Sequence, residues 1–368
     1  MFDNIRPLTD AELPQALDAI AASPLLYPIS RFVYPDSDPA ETAARLRSIV
    51  DIHTLQDTVM RAAITRIIDT SITDFTHSGT NLLSPGHPYL FISNHRDITL
   101  DAFLLKYLTF HLGDLYITFG ANLMQDPLIT LIGRANRMFR VERGGTPKEF
   151  YRNMLQVSAY IRHILTTEQQ SVWIAQRNGR TKDGLDRTEV SLLKMLALSG
   201  HSSSKAPLSS LKPLNIVPVS ISYQWEPCDL LKAHELYRRS QGPYKKDPNE
   251  DLNSVLTGIL QPKGHVHLSI CAPLTNDELD RCSATDSPFD NLAALIDRRI
   301  YAAYNLHPTN YLAYDLLHHT SHFAHHYSAA IKEQFQQRLA TIPDTDKGIL
   351  LSIYSNPVES KHPSILPK

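Results

Sequence analysis

Cysteine is scarce in this chain of 368 residues, which contains only Cys228, Cys271 and Cys282. Their number is odd and no Cys-x-x-Cys pair occurs. The sequence therefore predicts neither a disulfide framework nor a cysteine-based zinc site. Because disulfides are typical of oxidising compartments, we expect this protein to work in a reducing one.

An excess of positive charge is also absent. The chain has 36 Lys and Arg residues against 38 Asp and Glu residues, which gives a formal net charge of -2, and its pI is near 6.8. Broad binding to nucleic acid needs a basic excess that neutralises phosphates. We therefore expect no nucleic acid among the partners of this protein.

Long hydrophobic runs are missing as well. No uninterrupted apolar stretch approaches the roughly 18 residues that span a bilayer, and the first residues lack the apolar core of a signal peptide. Hydrophobic residues still make up 42% of the chain, enough for a substantial core. The length suits one large catalytic domain with helical additions, or two domains. The sequence thus predicts a soluble or peripheral protein.

Apolar strands and helical segments alternate through the middle of the chain. Strands are predicted at Tyr89–Ile92, Leu115–Gly120, Met138–Val141, Ser171–Ala175, Asn215–Tyr223 and Gly264–Ile270. Helices are predicted at Asp101–His111, Pro127–Gly133, Lys148–Thr166 and Val190–Leu198. This alternation indicates an α/β fold with a largely parallel sheet sandwiched by helices. Pro218, inside the fifth strand, suggests a strand start or a bulge.

Helical additions are predicted on both sides of this α/β core. We divide the chain into an N-terminal helical region (1–80), an α/β domain (81–275), a C-terminal helical region (276–340) and a poorly ordered tail (341–368). Helices are predicted at 291–306 and 311–339, and a polar loop at 237–251.

Apolar residues between Glu41 and Thr73 recur with helical period, which predicts one or two amphipathic helices. They are expected to pack on the catalytic domain, with a membrane-surface role as the alternative because arginines flank the stripe.

A histidine follows the first predicted strand. His95 lies in a strand-to-helix turn, with Arg96, Asp97 and Asp101 close behind it. In α/β proteins, the loops at the carboxyl ends of strands carry the chemistry. A histidine that shares a proton with a nearby carboxylate is the minimal general-base unit. Taken alone, the same pattern is also compatible with a structural loop histidine.

Two further strand ends carry clusters of basic residues. In the segment 133–145, Arg140 and Arg143 flank a strand end, and in the segment 172–184 a glycine-containing turn carries Arg177, Arg180 and Lys182. The guanidinium fork binds phosphate in a bidentate manner, and backbone amides next to cations form anion cradles. Solvated surface arginines are the alternative interpretation. The sequence contains neither a Walker pattern nor a Gly-x-Ser-x-Gly elbow.

Four blocks in this order resemble the glycerolipid acyltransferase superfamily, which includes the glycerol-phosphate and lysophosphatidate acyltransferases. The blocks are Asn94-His95-Arg96, Gly133 to Arg143, Asn178-Gly179-Arg180-Thr181 and Val217-Pro218-Val219-Ser220. The resemblance covers residues 85–225. It departs from the family at the aspartate of the first motif, because His-x4-Asp spacing places Leu100 there. Asp101 fits after one inserted residue, and Asp97 is the alternative; in the third block Asn178 replaces the family's glutamate.

The resemblance implies an O-acyltransferase that moves a fatty acyl group from acyl-CoA or acyl carrier protein to a hydroxyl of a (lyso)glycerophospholipid precursor. His95 would be the general base and Asp101 would orient it, with no covalent enzyme intermediate and no cofactor beyond the acyl donor. Arg143 and Arg180 would hold the acceptor's phosphate. The remaining expected substrate-binding residues are Arg96, Arg140, Arg177, Gly179, Thr181 and Lys182. The resemblance also implies a cytoplasmic enzyme, peripheral at the inner face of a membrane, that meets lipid at the membrane surface.

A second constellation offers a function of another class. Five histidines fall in one predicted helix: His318, His319, His322, His325 and His326. Their three- and four-residue spacings place several of them on one face of that helix. Imidazoles so spaced can bind zinc or iron, so a metal-binding protein or metal-dependent hydrolase is the alternative function. A polar covering helix or a pH-sensitive surface is our main interpretation, without a metal site. His265 and His267 are predicted to be exposed positions of a strand.

Overall fold

The structure is a computed structural model that describes residues 2–123, 126–142, 144–200, 206–247 and 249–365. These residues form seven strands: β1 (Ile72–Ser78), β2 (Leu90–Ser93), β3 (Leu115–Gly120), β4 (Met138–Val141), β5 (Ser171–Ala175), β6 (Ile216–Tyr223) and β7 (Gly264–Ile270). The described residues form nine α-helices before β6: α1 (Leu13–Ala21), α2 (Leu26–Val33), α3 (Pro39–Arg47), α4 (Ile52–Leu55), α5 (Arg61–Ser71), α6 (Leu100–Thr109), α7 (Pro127–Ala135), α8 (Pro147–Thr166) and α9 (Val190–Ala197). The helices after β6 are α10 (Asp229–Ser240), α11 (Glu250–Leu260), α12 (Asn276–Ser283), α13 (Pro288–Ala303), α14 (Pro308–Leu317), α15 (Ala329–Ala340) and α16 (Asp344–Lys361).

All seven strands belong to one sheet in the order β1-β7-β6-β2-β5-β3-β4. The five strands from β6 to β4 are parallel to one another, whereas β7 is antiparallel to β6 and carries β1 parallel to itself at the edge. The predicted α/β fold with a largely parallel sheet is therefore confirmed. Because β2 lies between β5 and β6, the turn after β2 is at the centre of the sheet, where ligands of such folds bind.

Both faces of the sheet are buried beneath helices. Leu90 and Ile92 face a core shared with α8, α9 and α13, while Phe91 between them faces a core shared with α5 and α6. Successive side chains of a strand alternate between faces, so a strand buried on both sides is an uninterrupted apolar run. Each fully buried large apolar side chain contributes about 1.5–3 kcal/mol. These two layers hold the strand ends of the site in fixed positions.

The apolar stripe predicted between residues 41 and 73 faces the protein. Leu46, Ile49 and Leu55 are buried in a cluster with α1 and α7, and Ile67 is buried against the sheet. The packing interpretation of this stripe is therefore confirmed. In the described part of the chain no helix has both the length and the apolar character needed to cross a membrane.

The edge strand β1, which directly follows α5, was not predicted because its side chains are mostly polar and exposed.

Three predicted segments differ from the structure. Residues 311–339 are not one helix, since α14 ends at Leu317, His319 adopts φ 54° and α15 begins only at Ala329. The tail after residue 341 is not poorly ordered up to Lys361, because α16 buries Leu350 and Tyr354. The segment 237–251 is not a loop throughout, since it contains the end of α10 and the start of α11.

Pro218 marks neither a strand start nor a bulge. It lies inside the eight-residue β6, opposite Ile92 of β2. Its carbonyl accepts a hydrogen bond of 2.9 Å from the backbone N–H of Cys271. Proline removes only the donor of a residue, so a central strand can contain one where the acceptor suffices.

Candidate active site

The turn between β2 and α6 brings His95 to Asp101. The Nδ1 atom of His95 lies 2.9 Å from Oδ2 of Asp101, whose side chain is buried. Asp101 belongs to the first turn of α6, where the helix dipole favours a carboxylate. His95 itself is only 13% exposed and lines a cleft. The imidazole is thus held on one side by a buried carboxylate and open to the cleft on the other.

Four hydrogen bonds fix the Asp101 carboxylate. Besides His95, its Oδ2 accepts from the backbone N–H groups of Arg96 at 2.6 Å and Asp97 at 2.9 Å. Its Oδ1 accepts from the hydroxyl of Tyr223 at 2.7 Å. Burial raises the pKa of the Tyr223 phenol well above its usual value, so the phenol remains a donor. Tyr223 was not predicted as a site residue, although it ends the strand that contains the fourth block.

Replacing Tyr223 by phenylalanine tests this arrangement. A hydrogen bond to a charged group contributes about 1.5–3 kcal/mol, so we expect kcat to fall roughly tenfold or more while KM changes little. Tyr89→Phe is the matched control, since Tyr89 is also buried but its hydroxyl accepts from Ser84 at the other end of the sheet. Steady-state kinetics of both variants decide the point. Equal kcat in both would remove Tyr223 from the site.

Asp97, the alternative partner for His95, instead caps the start of α6. Its Oδ1 accepts from the backbone N–H groups of Thr99 and Leu100, both at 2.9 Å. Such a bond satisfies orphan donors at a helix start. Its Oδ2 has no hydrogen-bond partner among the described residues. Asp101, and not Asp97, is therefore the carboxylate that contacts His95.

Arg96 does not reach the cleft, contrary to its expected role in substrate binding. Its side chain is fully buried, with Nη2 2.5 Å from Asp186 and Nη1 3.3 Å from Glu226. The guanidinium also lies 5.4 Å from the ring centre of Tyr304. Two buried carboxylates need a cation between them. This need explains why the side chain turns inward beside a histidine that faces outward.

A cleft of about 320 Å³ opens at the carboxyl end of the sheet. Its walls include His95, Thr118, Phe119, Trp173, Arg177, Asn178, Gly179, Arg180, Lys182, Asp183, Leu236, Arg239, Lys246 and Asp251. Among the described residues, five cationic side chains and two carboxylates line it. The cleft is therefore suited to an anionic ligand.

Two arginines in the cleft have donors without partners. Within the described residues, Nε of Arg177 and Nη1 of Arg180 are buried and make no hydrogen bond. Buried polar atoms are nearly always satisfied, so such donors are what an absent anion would occupy. Gly179 between them adopts φ 78°, the left-handed conformation that favours glycine in a turn. The third block thus places two unpaired cationic donors and a glycine turn at the cleft, which is compatible with the predicted anion cradle.

The other expected substrate contacts are distributed differently. Thr181 is buried, and its backbone N–H donates a hydrogen bond of 2.7 Å to the carbonyl of His95. This bond joins the loop after β5 to the loop after β2. Lys182 lines the cleft but pairs with Glu235, and burial lowers its pKa. Arg140 is exposed, pairs with Glu142 at 2.5 Å and is not part of the cleft wall. Arg143 lies outside the described residues.

Part of the cleft comes from a segment that was predicted as a loop. Leu236 and Arg239 extend from α10, and Lys246 and Asp251 lie before and within α11. Arg239 pairs with Glu235 at 2.8 Å, and Lys246 pairs with Asp251. The local sequence does not predict that these residues line the cleft, because their position depends on how α10 and α11 fold back over the sheet.

The C-terminal histidines are not arranged on one helix face, contrary to the prediction. They lie at the end of α14 and in the turns before α15, where His318 pairs with Glu359 at 2.9 Å and His326 stacks on Tyr311. Among the described residues, no group of three or more His, Cys, Asp or Glu side chains is placed to hold a metal ion. The geometry therefore gives no support to the metal-dependent alternative.

His265 and His267 are not simply exposed, either. Both are half-buried and lie within 2.7 Å of the Thr76 hydroxyl on the neighbouring strand. Their rings therefore join β7 to β1.

One comparison with known proteins matches the segment that contains this site. Residues 74–222 match the family model described as Acyltransferase. The crystal structure of the 1-acyl-sn-glycerophosphate (LPA) acyltransferase PlsC from Thermotoga maritima is similar with 13% sequence identity and a TM-score of 0.38, over 78% of this chain and 96% of that chain. No curated protein sequence matches the chain. The matched segment contains all four blocks. The predicted resemblance is thereby confirmed for residues 74–222, which are similar to the Acyltransferase family.

Proposed function

We propose that this protein is an acyltransferase that moves a fatty acyl group from acyl-CoA or acyl carrier protein to a hydroxyl of a (lyso)glycerophospholipid precursor. The observation that carries the proposal is one cleft that contains both halves of such a reaction. His95, paired with buried Asp101, supplies a base, and Arg177 and Arg180 supply unpaired donors for a phosphate. Together they fit an acceptor with a hydroxyl and a phosphate in one small molecule.

The proton chemistry follows from the tautomer of His95. With the Nδ1 proton donated to Asp101, Nε2 accepts the proton of the acceptor hydroxyl. The hydroxyl oxygen bonds to the thioester carbonyl carbon, and the carbon–sulfur bond then breaks. The leaving thiolate takes the proton back from His95, while Asp101 stabilises the imidazolium between the two transfers. No covalent bond to the protein and no metal or organic cofactor is needed in this sequence.

The proposed phosphate contacts predict a selective loss of acceptor binding. Arg180→Met keeps the length of the side chain but removes charge-assisted hydrogen bonds worth about 1.5–3 kcal/mol. We expect the KM for a phosphate-bearing acceptor to rise roughly tenfold or more, with little change in the KM of the acyl donor. Arg140→Met is the control, because Arg140 lies outside the cleft. An unchanged acceptor KM in Arg180→Met would contradict the assignment.

The experiment that tests the function measures transfer of a labelled acyl group from acyl-CoA and from acyl carrier protein. Acceptors are glycerol 3-phosphate, lysophosphatidate and a monoacylglycerol without phosphate. We expect transfer to a phosphate-bearing acceptor and none, or much less, to the monoacylglycerol. Transfer that favours the monoacylglycerol, or no transfer to any of them, would refute the proposal.

We also propose a cytoplasmic location, peripheral at the inner face of a membrane. Acyl-CoA and acyl carrier protein are the expected soluble partners, and the lipid product must enter a bilayer. Fractionation of cells that express the chain, followed by washing of membranes with high salt, tests this. Protein released by the wash is expected, because peripheral binding combines charge and apolar contacts.

A further inference from the structure

The outward face of α11 carries an apolar stripe, and none of the described residues covers it. Leu252, Leu256 and Leu260 are 47%, 49% and 61% exposed. Residues four apart lie on one face of a helix, so the three side chains form a row about 12 Å long. Residues 252–262 contain no charged side chain. A fully uncharged helix face with three exposed leucines is unusual on a soluble surface.

The opposite face of α11 rests on the catalytic turn. On the flank of the helix, Val255 and Ile259 are partly buried against the core of the sheet. Gly258 lies so close to Asp97 that a Cβ atom on it would be 2.1 Å from Oδ2. Only a residue without a side chain allows this approach. The leucine row is therefore separated from the turn that carries His95 by the thickness of one helix.

The start of α11 also forms part of the cleft. Asp251, one residue before Leu252, lines it and accepts a hydrogen bond from Asn122 at 3.1 Å. The cleft wall beside it is cationic, with five basic side chains against two carboxylates among the described residues. An apolar row thus adjoins a positively charged opening. Acyl chains and phosphate headgroups meet in the same order at the surface of a bilayer.

We infer that the α11 face, defined by Leu252, Leu256 and Leu260, docks on the lipid bilayer and places the cleft at the headgroup layer. This inference deepens the proposed function and rests on it, because a lipid acceptor would enter from the bilayer. A second copy of the chain fits the face less well, since a stable interface takes roughly 20–30 residues from each partner. Insertion at the headgroup boundary has no such size requirement, because its strength scales with the buried apolar area and the attraction to anionic lipids.

The test is flotation of the full chain with vesicles of phosphatidylethanolamine and phosphatidylglycerol. The variant is Leu252→Gln/Leu256→Gln/Leu260→Gln, in which glutamine preserves helix propensity. We expect its vesicle affinity to be lower than that of the wild type by roughly tenfold to a hundredfold, because three apolar side chains no longer insert. Circular dichroism and thermal unfolding confirm that the variant is folded.

A matched control comes from α8, which covers the opposite face of the sheet and also exposes Phe150, Tyr151 and Leu155. Phe150→Gln/Tyr151→Gln/Leu155→Gln is expected to bind vesicles like the wild type. Equal binding by the α11 variant, or loss of binding in the α8 variant alone, would overturn the inference. Sedimentation equilibrium tests whether a second copy of the chain occupies the α11 face instead. A wild-type protein that is a dimer, together with an α11 variant that is a monomer, would show that a second copy covers the face.

Activity separates this inference from the proposed function. With short-chain donor and acceptor dissolved in water, the α11 variant is expected to match the wild type. With acceptor embedded in vesicles, its rate should fall together with its binding. If the wild type transfers no acyl group at all, the proposed function fails, whereas flotation still decides whether the α11 face binds lipid.

Discussion

His95→Ala is expected to lower kcat by roughly 10²–10⁴-fold, the range over which a positioned general base contributes. The acceptor hydroxyl then has no group in the cleft to take its proton as it attacks the thioester. KM for donor and acceptor should change little, because Arg177 and Arg180 remain in place. Transfer of labelled acyl groups, measured on protein shown to be folded by circular dichroism, checks this result.

The two aspartates of the turn provide the control for this prediction. Asp101→Asn removes the acceptor for the Nδ1 proton of His95 and should also reduce kcat strongly. Asp97→Asn retains a side-chain oxygen that can cap α6, so activity should be preserved and stability should change by no more than about 1 kcal/mol. Full activity of His95→Ala, or a larger loss in Asp97→Asn than in Asp101→Asn, would contradict the assignment of the base and its partner.

Arg96→Met is expected to destabilise the fold by about 3–5 kcal/mol. The substitution leaves Asp186 and Glu226 buried without their cation. Lys232 compensates only in part, because its Nζ already bonds Glu226 at 2.6 Å and the carbonyl of Arg96 at 2.7 Å. Urea denaturation followed by circular dichroism measures the loss. Since native proteins have unfolding free energies of about 5–15 kcal/mol, much of the stability would disappear.

Arg187→Met is a suitable comparison, since Arg187 is exposed and follows Asp186 in sequence. The exposed change should alter stability by less than about 0.5 kcal/mol. The kinetic signature distinguishes the two possible roles of Arg96. A structural arginine changes the amount of folded enzyme but leaves KM near the wild-type value in what remains folded. A rise in acceptor KM at unchanged stability would restore Arg96 to the substrate site.

Much of the sheet could be predicted because its strands are short apolar runs. The predicted bounds of β3, β4, β5 and β7 agree with the structure. Burial on both faces demands such runs, and polar or glycine residues end them. The pairing of His95 with Asp101 is also a local contact, since the two residues are six positions apart across a single turn. Local rules were sufficient for the strands, whereas the choice of Asp101 over Asp97 came from the family resemblance.

The rest of the site depends on contacts between distant parts of the chain. Tyr223 reaches Asp101 across 122 residues, and Glu226 reaches Arg96 across 130. No periodicity or motif in the sequence predicts such a long-range pair. The sequence also does not distinguish a buried arginine from an exposed one. The α10–α11 segment was predicted as a loop because its polar and charged residues, including Lys245 and Asp247, mask the helix ends. Sequence reasoning therefore identified the pair of His95 and Asp101 but not Tyr223, which also bonds Asp101.

The edge of the sheet has a consequence for synthesis of the protein. Thr76 of β1 and His265 of β7 are bonded across 189 residues, and β7 is the neighbour of β1 in the sheet. At about 5–20 residues per second, a ribosome completes β7 roughly 10–40 s after β1. During this interval the backbone of β1 is unpaired, and Asp74 and other polar side chains protect it from other strands. A chain that ended at residue 222 would lack β7 and leave β1 without its neighbour, so the segment that matches the family model depends on later sequence to complete its sheet.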